Sequence, residues 1–565
     1  MGVLFAGQYL VERLREFGVE HLFGVPGDFS LAFLDSVEES GTVSWVGAAS
    51  ELGAAYAADG YARVRGLGVV VTAFGVGELS AAAAVAGAMA EDVAVLHVVV
   101  GPPSAAVRSG AAIHHTFADG RFDRFRLAAE QVTAAQYVVG EADPAGDIDD
   151  ALQALVDLRR PVYLLLPQDV AELPVAPDRR PLDLHVLTRS TSTVPAVTGL
   201  VEEFFDAYPE AVVVLGHLLL RRGLTGQAAL LAVCGVRTAV LPNVHGLVDG
   251  PAHLGTYNGK LSPAAVRDGV ESDEGRVLVG CTLADTTTGG LSHRFAPEST
   301  LTVGRESVSW GQRSIEVRFE AAVETLVAVR CSQPGPVDPQ RARRPVDGTV
   351  VDGMVDGATA TAALTQALLW SRLESWLPSD VTLFADTGSA HYGALDHRLP
   401  PGTRYESAAI WAAIGYAYPA AVGAALADPA RRVVTVVGDG ALQVVAAELG
   451  LAARYGARTV TIVLDNRGYT VERVIRGEAA RYNDIAAWDW AAVATAMGAG
   501  RVHDVRTVAE LDDALAAAAD AGAAHVVVCH LSPLDVTPTL AAMSDALRAK
   551  AHLPLLALRE ERVGA

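Results

Sequence analysis

Arg431–Gln443 reads RRVVTVVGDGALQ, an apolar, β-branched run that stops at Gly438-Asp439-Gly440. Such a run suits a strand buried on both faces of a parallel sheet. The glycines end it in a turn whose backbone can come close to a ligand. Ala441–Tyr455 (ALQVVAAELGLAARY) has helix composition, and a second β-branched run, Thr459–Leu464 (TVTIVL), stops at Asp465-Asn466 with Gly468 just beyond. Two adjacent strands thus carry Asp439 and Asn466, 27 residues apart, to one C-terminal sheet edge, the edge where open α/β sheets bind ligands. A carboxylate, an amide oxygen and a glycine carbonyl are the hard donors Mg²⁺ takes, with the rest of its octahedron left to water and phosphate. Glycine-aspartate-glycine alone is a common turn. The asparagine at the matching strand end makes the pair a candidate metal and diphosphate site.

Composition sets the frame. A chain of 565 residues exceeds the roughly 250–300 at which a single core stops growing, so three or four domains are expected. Half the residues are hydrophobic and the net charge is −22, which argues against nucleic acid or an anionic membrane surface as partner. An anionic cofactor is still compatible, because a metal ion and helix N-termini neutralise phosphate locally. Cys234, Cys281, Cys331 and Cys529 lack metal-ligand spacing and read as small core residues or free thiols of a reducing compartment. No apolar run approaches the roughly 18 residues of a membrane span. The N-terminus becomes amphipathic at Glu12, Arg13 and Arg15, unlike a signal peptide. A cytoplasmic enzyme is the expectation.

The stretches GDGALQVVAAELG and DNRGYTVERVIRGEAARYNDIAAWDW closely resemble the thiamine diphosphate-dependent 2-oxo acid decarboxylases, which act on pyruvate, indolepyruvate, phenylpyruvate and branched-chain 2-oxo acids. The resemblance covers nearly the whole chain. It implies thiamine diphosphate and Mg²⁺ as cofactors, with Asp439, Asn466 and the Gly468 carbonyl on the metal. Gly438, Gly440, Ala441 and Tyr469 belong to the same cofactor-binding segments. The family often has two asparagines where this chain has Asp465-Asn466. The second is the ligand, so the change adds charge without removing a donor.

Two stretches of low order divide the chain: 173–195, with four prolines, and 331–357, rich in proline, glycine and aspartate. Both read as linkers. Valine-rich runs alternate with helical stretches on either side of them and between them, giving an α/β fold of three domains with mostly parallel sheets. Their expected bounds are 1–172, 196–330 and 358–565. The outer two alternate similarly, though no repeat in the sequence is strong enough to establish common ancestry. In the family these are a pyrimidine-binding, a central and a diphosphate-binding domain. The cofactor lies between the first domain of one subunit and the third of another, which implies a homodimer or homotetramer.

Other residues carry the chemistry such a cofactor needs. The proton on C2 of its thiazolium must be removed, and a carboxylate on the pyrimidine favours the tautomer that takes it. Glu51, in WVGAASELGAAYAADGYAR, matches the family's carboxylate, although Ala49-Ser50 precede it here. Alone it would read as a helix N-terminal glutamate serving the dipole or a capping box. His114-His115, in SGAAIHHTFADG, and Asp28, in FGVPGDFSLAFLD, match the family's histidine pair and its aspartate. By themselves they would read as loop histidines and an N-cap. Ser30 stands where the family often has asparagine. Glu472, in NRGYTVERVIRG, matches the substrate-facing glutamate; its plain reading is a solvated helix residue paired with Arg473 or Arg476. A protonated acid must deliver H⁺ to the carbon that CO₂ has left, and these groups could share that relay.

Ile414 matches the bulky residue wedged beneath the cofactor, Ala412 the one whose carbonyl faces the aminopyrimidine, and Thr387-Gly388 a further cofactor contact. His391, Val471 and Ile475 match positions lining the substrate pocket. Valine at 471 opens space, and His391 stands where pyruvate-specific relatives often carry tryptophan, so an aromatic or branched-chain 2-oxo acid is expected. One methylene changes discrimination by only about 1–3 kcal/mol, which leaves pyruvate as the alternative substrate. Carboligation on the same cofactor is the alternative reaction, and a non-catalytic cofactor-binding regulator the alternative of another class. A dinucleotide-binding protein is disfavoured, because no strand ends in G-x-G-x-x-G. Thr539–Leu558 includes a helix-like stretch; in relatives such a helix covers the site entrance.

Overall fold

The computed structural model describes residues 3–176, 182, 194–332, 361–520 and 522–551. Among these the chain forms three large sheets and one two-stranded ribbon, Leu4–Phe5 with Pro174–Val175. The N-terminal sheet runs Ser44–Gly47, His21–Gly24, Gly68–Ala73, Val95–Gly101, Val162–Pro167, Ala135–Val138, all in parallel. Gly68–Ala73 and Val95–Gly101 are buried along their whole length, as strands covered on both faces must be, which is why valine dominates them. The C-terminal sheet runs Arg404–Glu406, Thr382–Ala385, Val433–Gly438, Thr459–Asp465, His525–His530, Arg501–Val505, with parallel pairings. Counted within each sheet, the strand order is 2-1-3-4-6-5 in both. The two outer segments therefore share one topology, a likeness the sequence hinted at without a detectable repeat.

Between them lies a seven-stranded sheet. Five parallel strands (His253–Thr256, Thr238–Val240, Val212–Leu215, Arg276–Val279, Thr300–Val303) are extended by an antiparallel pair, Ser307–Trp310 and Arg313–Glu316. Their buried valines and leucines form one core with Phe204, Phe205 and Phe319 from flanking helices. The chain is thus an α/β protein of mostly parallel sheets.

By compactness the chain divides into two units. One comprises Met1–Val186 with Tyr418–Ala430 and Val445–Thr459; the other comprises Leu187–Ala417, Arg431–Val444 and Val460–Ala565. The single helix expected over Ala441–Tyr455 is broken into Asp439–Val444, the 3₁₀ turn Ala446–Glu448 and Leu451–Arg454. The later pieces turn to partners in the first unit: the Leu449 carbonyl accepts from the Tyr418 hydroxyl at 2.7 Å, and the Tyr455 hydroxyl accepts from Gly47 N–H at 2.8 Å.

Of the stretch read as the first linker, Pro174–Val175 is a strand and a helix begins at Val194; residues 177–181 and 183–193 lie outside the described residues. In the second, Cys331 and Ser332 complete the helix Phe319–Ser332, and 333–357 lie outside the described residues. The C-terminal helix spans Pro538–Ala551, while 552–558 of the stretch expected to contain it lie outside. No helix among the described residues is long and apolar enough to cross a membrane.

One expectation is corrected. Cys234 and Cys331 are not free thiols: they form a disulfide with Cα atoms 5.5 Å apart, at a sequence separation of 97. The helices Thr225–Val233 and Phe319–Ser332 pack side by side and bring the two together, a juxtaposition that sequence spacing cannot display. Cys281 and Cys529 are free, and burial pushes both thiols up.

Candidate active site

Strands Val433–Gly438 and Thr459–Asp465 are neighbours, so Asp439 and Asn466 leave the same sheet edge side by side. Both are buried, at 1% and 3% exposure. The Asn466 side-chain amide lies 3.2 Å from Asp439 Oδ1 and 2.9 Å from the Gly468 carbonyl; with its nitrogen turned to them it donates to both, and its oxygen then accepts from the Thr470 hydroxyl at 3.0 Å. A carboxylate, a side-chain amide and a glycine carbonyl thus converge at one point of the sheet edge. Burial pushes the Asp439 carboxyl up to about 7, against the pull of backbone N–H donors: Gly440 at 2.7 Å to Oδ1 and Gly468 at 3.2 Å to Oδ2. Gly468 holds φ +135°, a region closed to most side chains. A Cβ on Gly440 would run into the Tyr469 ring, so Tyr469 packs directly on the turn. Gly438 is open and Ala441 buried in the first helical turn.

Two residues to which the sequence reading gave no part in the site, Arg473 and His530, hold this loop. Arg473 donates to the Asn466 carbonyl at 3.1 Å and to the Arg467 carbonyl, and pairs with Asp484 at 2.9 Å. It therefore faces the loop rather than Glu472, which is exposed on the first turn of the helix Thr470–Arg476. The extra charge of Asp465 is met by His530 Nδ1 at 2.7 Å, and His530 also contacts Asp504.

The first strand of the same sheet, Thr382–Ala385, ends at Asp386, which sequence reading also missed. Its buried carboxylate accepts from Gly415 N–H at 3.1 Å and Ala417 N–H at 2.8 Å, and burial pushes it up to about 7. Asp386 thereby anchors the loop carrying Ala412 and Ile414. Ala412 holds a left-handed φ of +57°, and Ile414 is half-buried rather than a closed core residue. Thr387 Oγ1 donates to the Ala413 carbonyl at 3.3 Å. Gly388 faces Val471, whose methyl lies 3.4 Å from where a Cβ would stand. His391 is buried with Nδ1 at 2.8 Å from the Tyr405 hydroxyl, and burial lowers it to about 4. Val471 and Ile475 are half-buried on the helix Thr470–Arg476, and the C-terminal helix Pro538–Ala551 packs against that helix and against Ser389–Leu395, which carries His391.

In the first unit, Glu51 opens the helix Glu51–Arg65, yet Ser50 caps it: its hydroxyl accepts from Gly53 N–H at 3.0 Å. Glu51 Oε1 stands 3.2 Å from where a Cβ on Gly77 would be, so the carboxyl lies against the first turn of Val76–Ala90. Asp28 Oδ2 and His114 Nε2 are 3.0 Å apart, both half-exposed. Desolvation raises the Asp28 carboxyl, but the hydrogen bond and charge of His114 with backbone N–H donors together outweigh it and hold it low. Phe29 stacks on His114 at 4.9 Å, and the His115 ring stands edge-on to His114 at 4.5 Å. One ligand-type atom from each of Asp28, His114 and His115 falls within 4.8 Å of the others, so the three expected proton carriers are brought together.

Beneath them Glu78, 4% exposed, accepts from Gly75 N–H at 2.7 Å and the Tyr163 hydroxyl at 2.9 Å. Burial, opposed by those bonds, pushes it up to about 7 from 4.5. The native state therefore holds a proton that the unfolded chain gives up sooner. This group's stabilisation is present at low pH and is lost as pH rises from 4.5 to about 7. Glu78→Gln mimics the protonated acid and is expected to gain on the wild type across that window, by up to about 3 kcal/mol above neutrality. Urea midpoints at several pH values check this, and a pH-independent difference would contradict it.

Residues 5–124 match the family described as thiamine pyrophosphate enzyme, N-terminal TPP binding domain, and residues 386–529 match thiamine pyrophosphate enzyme, C-terminal TPP binding domain. Among curated proteins, the alpha-keto-acid decarboxylase of Mycolicibacterium paratuberculosis is 39% identical over 91% of both chains. That of Mycobacterium tuberculosis is 39% identical over 92% of both, and that of Mycobacterium ulcerans 38% over 95% of both. Matches of this extent make the chain a member of the thiamine pyrophosphate-dependent alpha-keto-acid decarboxylase family.

Proposed function

We propose that this enzyme converts a 2-oxo acid larger than pyruvate, aromatic or branched-chain, to the aldehyde and CO₂, with thiamine diphosphate tethered through Mg²⁺. The observation that carries the metal assignment is the convergence of the Asp439 carboxylate, the Asn466 side-chain amide and the Gly468 carbonyl, an amide that turns its oxygen inward completing the set. Its separations of 2.9 and 3.2 Å are close to the roughly 2.9 Å between neighbouring ligands in an octahedron of 2.0–2.1 Å Mg–O bonds. These three residues would hold the ion. Gly438, Gly440, Ala441, Tyr469, Thr387 and Gly388 would hold the cofactor's diphosphate end, with the Ala412 carbonyl and Ile414 at its rings.

When bound, thiamine diphosphate supplies an electron sink for the bond pair released as CO₂ leaves. Glu51 would hold a proton between its carboxyl and the pyrimidine nitrogen. His114 Nε2, 3.0 Å from Asp28 Oδ2, is placed to pass a proton between that carboxylate and the reacting carbon. Glu472 and His115 complete the donor set. The larger substrate is supported by Val471, whose short side chain abuts Gly388 where a longer aliphatic would narrow the space. Apolar side chains flank the site segments while exposed, among them Leu31, Val76 and Leu79 in one unit and Trp411 and Val444 in the other. Such a surface fits a second copy of the chain, and the assembly read here is a homodimer or a tetramer of two such dimers.

The test supplies thiamine diphosphate, Mg²⁺ and a panel of 2-oxo acids, coupled to an alcohol dehydrogenase. Aldehyde formation with kcat/KM highest for an indole, phenyl or branched acid is expected. A preference for pyruvate overturns the substrate assignment, and condensed hydroxyketone as sole product overturns the reaction assignment.

A further inference from the structure

Only three residues, Ala48-Ala49-Ser50, separate the strand Ser44–Gly47 from the helix that Glu51 opens. Their donors converge on one side chain. Ala49 N–H donates to Glu448 Oε2 at 3.0 Å, Ser50 N–H to Oε1 at 3.0 Å, and the Ser50 hydroxyl to Oε1 at 2.9 Å. One residue earlier, Gly47 N–H donates to the Tyr455 hydroxyl at 2.8 Å. Glu448 is 1% exposed and belongs to the same compact unit as Glu51. Its charge lies against the first turn of the Glu51–Arg65 helix, where the dipole favours an anion.

The fit is close enough to dictate a neighbour. A Cβ on Gly53 would overlap the Glu448 carboxyl, so the third residue of ELGAAYAADGYAR must be glycine for the carboxylate to lie there. Two consecutive peptide donors, one hydroxyl and a cleared helix face amount to a clamp on the residues just before Glu51. The other side of Glu51 is bounded by Gly77.

We propose that Glu448 is a positioning residue for Glu51: by gripping Ala49 and Ser50 it fixes where the first turn of the helix presents the Glu51 carboxyl. Tyr455 secures the preceding strand end. The inference rests on the proposed role of Glu51, through which Glu448 acts. It also explains why the segment Val445–Thr459 leaves the sheet that bears Asp439 to pack with the first unit.

Full-length Glu448→Gln, Glu51→Gln and the double variant separate the possibilities. The amide nitrogen of glutamine would face the N–H donors in place of an acceptor, so the clamp opens while volume is kept. Hydrogen exchange of the cofactor-free protein is expected to show loss of protection confined to residues 47–54 in Glu448→Gln. Exchange of the C2 proton of bound thiamine diphosphate, and kcat with it, is expected to fall about 10- to 100-fold with KM unchanged, as small misplacements of a reacting group do. Glu448→Asp, which keeps the charge, should recover part of the loss.

In the Glu51→Gln background, the second substitution should cost nothing more, because its effect runs through Glu51. Additive losses in the double variant, or wild-type C2 exchange in Glu448→Gln, overturn the proposal. Glu51→Gln retaining C2 exchange would instead sink the reading of Glu51 itself, whatever Glu448 does. If Glu448→Gln does not fold, Tyr455→Phe opens the same turn at Gly47 and must show the same non-additivity with Glu51→Gln.

Discussion

Glu51→Gln is expected to lower kcat by about 100-fold or more, the range lost with a positioned acid–base group, while the fold survives. Two accounts of this glutamate make opposite forecasts. As a charge at a helix N-terminus, Glu51 would contribute roughly 0.3–1 kcal/mol of stability, and its amide would leave turnover intact. As the carboxylate that sets the cofactor's tautomer, it would contribute little to stability and most of the rate. The structure already weakens the first account, because Ser50 caps the helix and Glu448 supplies the anion at its N-terminus. Glu51 is left half-buried with its carboxyl against Gly77. Steady-state kinetics with saturating cofactor, alongside urea denaturation of the cofactor-free protein, measure both quantities on one variant. A stability loss near 1 kcal/mol with turnover preserved would return Glu51 to the helix dipole.

The edge residues of the C-terminal sheet were legible because their signal is local. A β-branched run ending in glycine-aspartate-glycine, and a second ending in aspartate-asparagine, announce strands and the side chains at their tips within a few residues. The same holds for Asp28 and Glu51, each four residues past a strand of a sheet with the same order, while the histidine pair, in the loop after the helix Ser104–Ser109, stood out as a pair. What was hidden is the support. Asp386 anchors residues about 30 positions on, Glu448 reaches back nearly 400 positions to Ala49 and Ser50, and neither spacing leaves a pattern a reader can follow. Arg473 looked like half of a surface ion pair because charge spacing on a helix cannot tell which side faces the loop beneath. The break in Ala441–Tyr455 has the same origin: helix composition was present throughout, and tertiary partners of Glu448, Leu449 and Tyr455 overrode it. The Cys234–Cys331 bond required the helices Thr225–Val233 and Phe319–Ser332 to be placed before it could be seen.

Asp439→Asn is expected to separate the ion from the fold. In the cofactor-free wild type, burial holds this carboxyl at about 7, above its ordinary 3.8. The native state keeps the proton, so stability is lost as pH rises between those values. Asparagine carries no charge to bury; its single oxygen keeps the Gly440 N–H bond, and only the longer bond from Gly468 N–H is given up to its amide nitrogen. The cofactor-free variant should therefore match the wild type in mild acid and exceed it above neutrality. With Mg²⁺ and thiamine diphosphate the order reverses. A ligand at 100 times its dissociation constant stabilises the wild type by about 2.7 kcal/mol; a 100-fold loss of affinity cuts that to about 0.4 kcal/mol. Activity should fall in step, since an amide oxygen supplies neither the charge nor the electrostatic pull of the carboxylate on the ion. Thermal midpoints with and without Mg²⁺ plus cofactor, at mildly acidic and mildly alkaline pH, give all four numbers. An undiminished cofactor-linked shift in Asp439→Asn would mean the oxygen cluster with Asn466 and Gly468 holds no ion, and the stability gain above neutrality would then be all that Asp439 reveals.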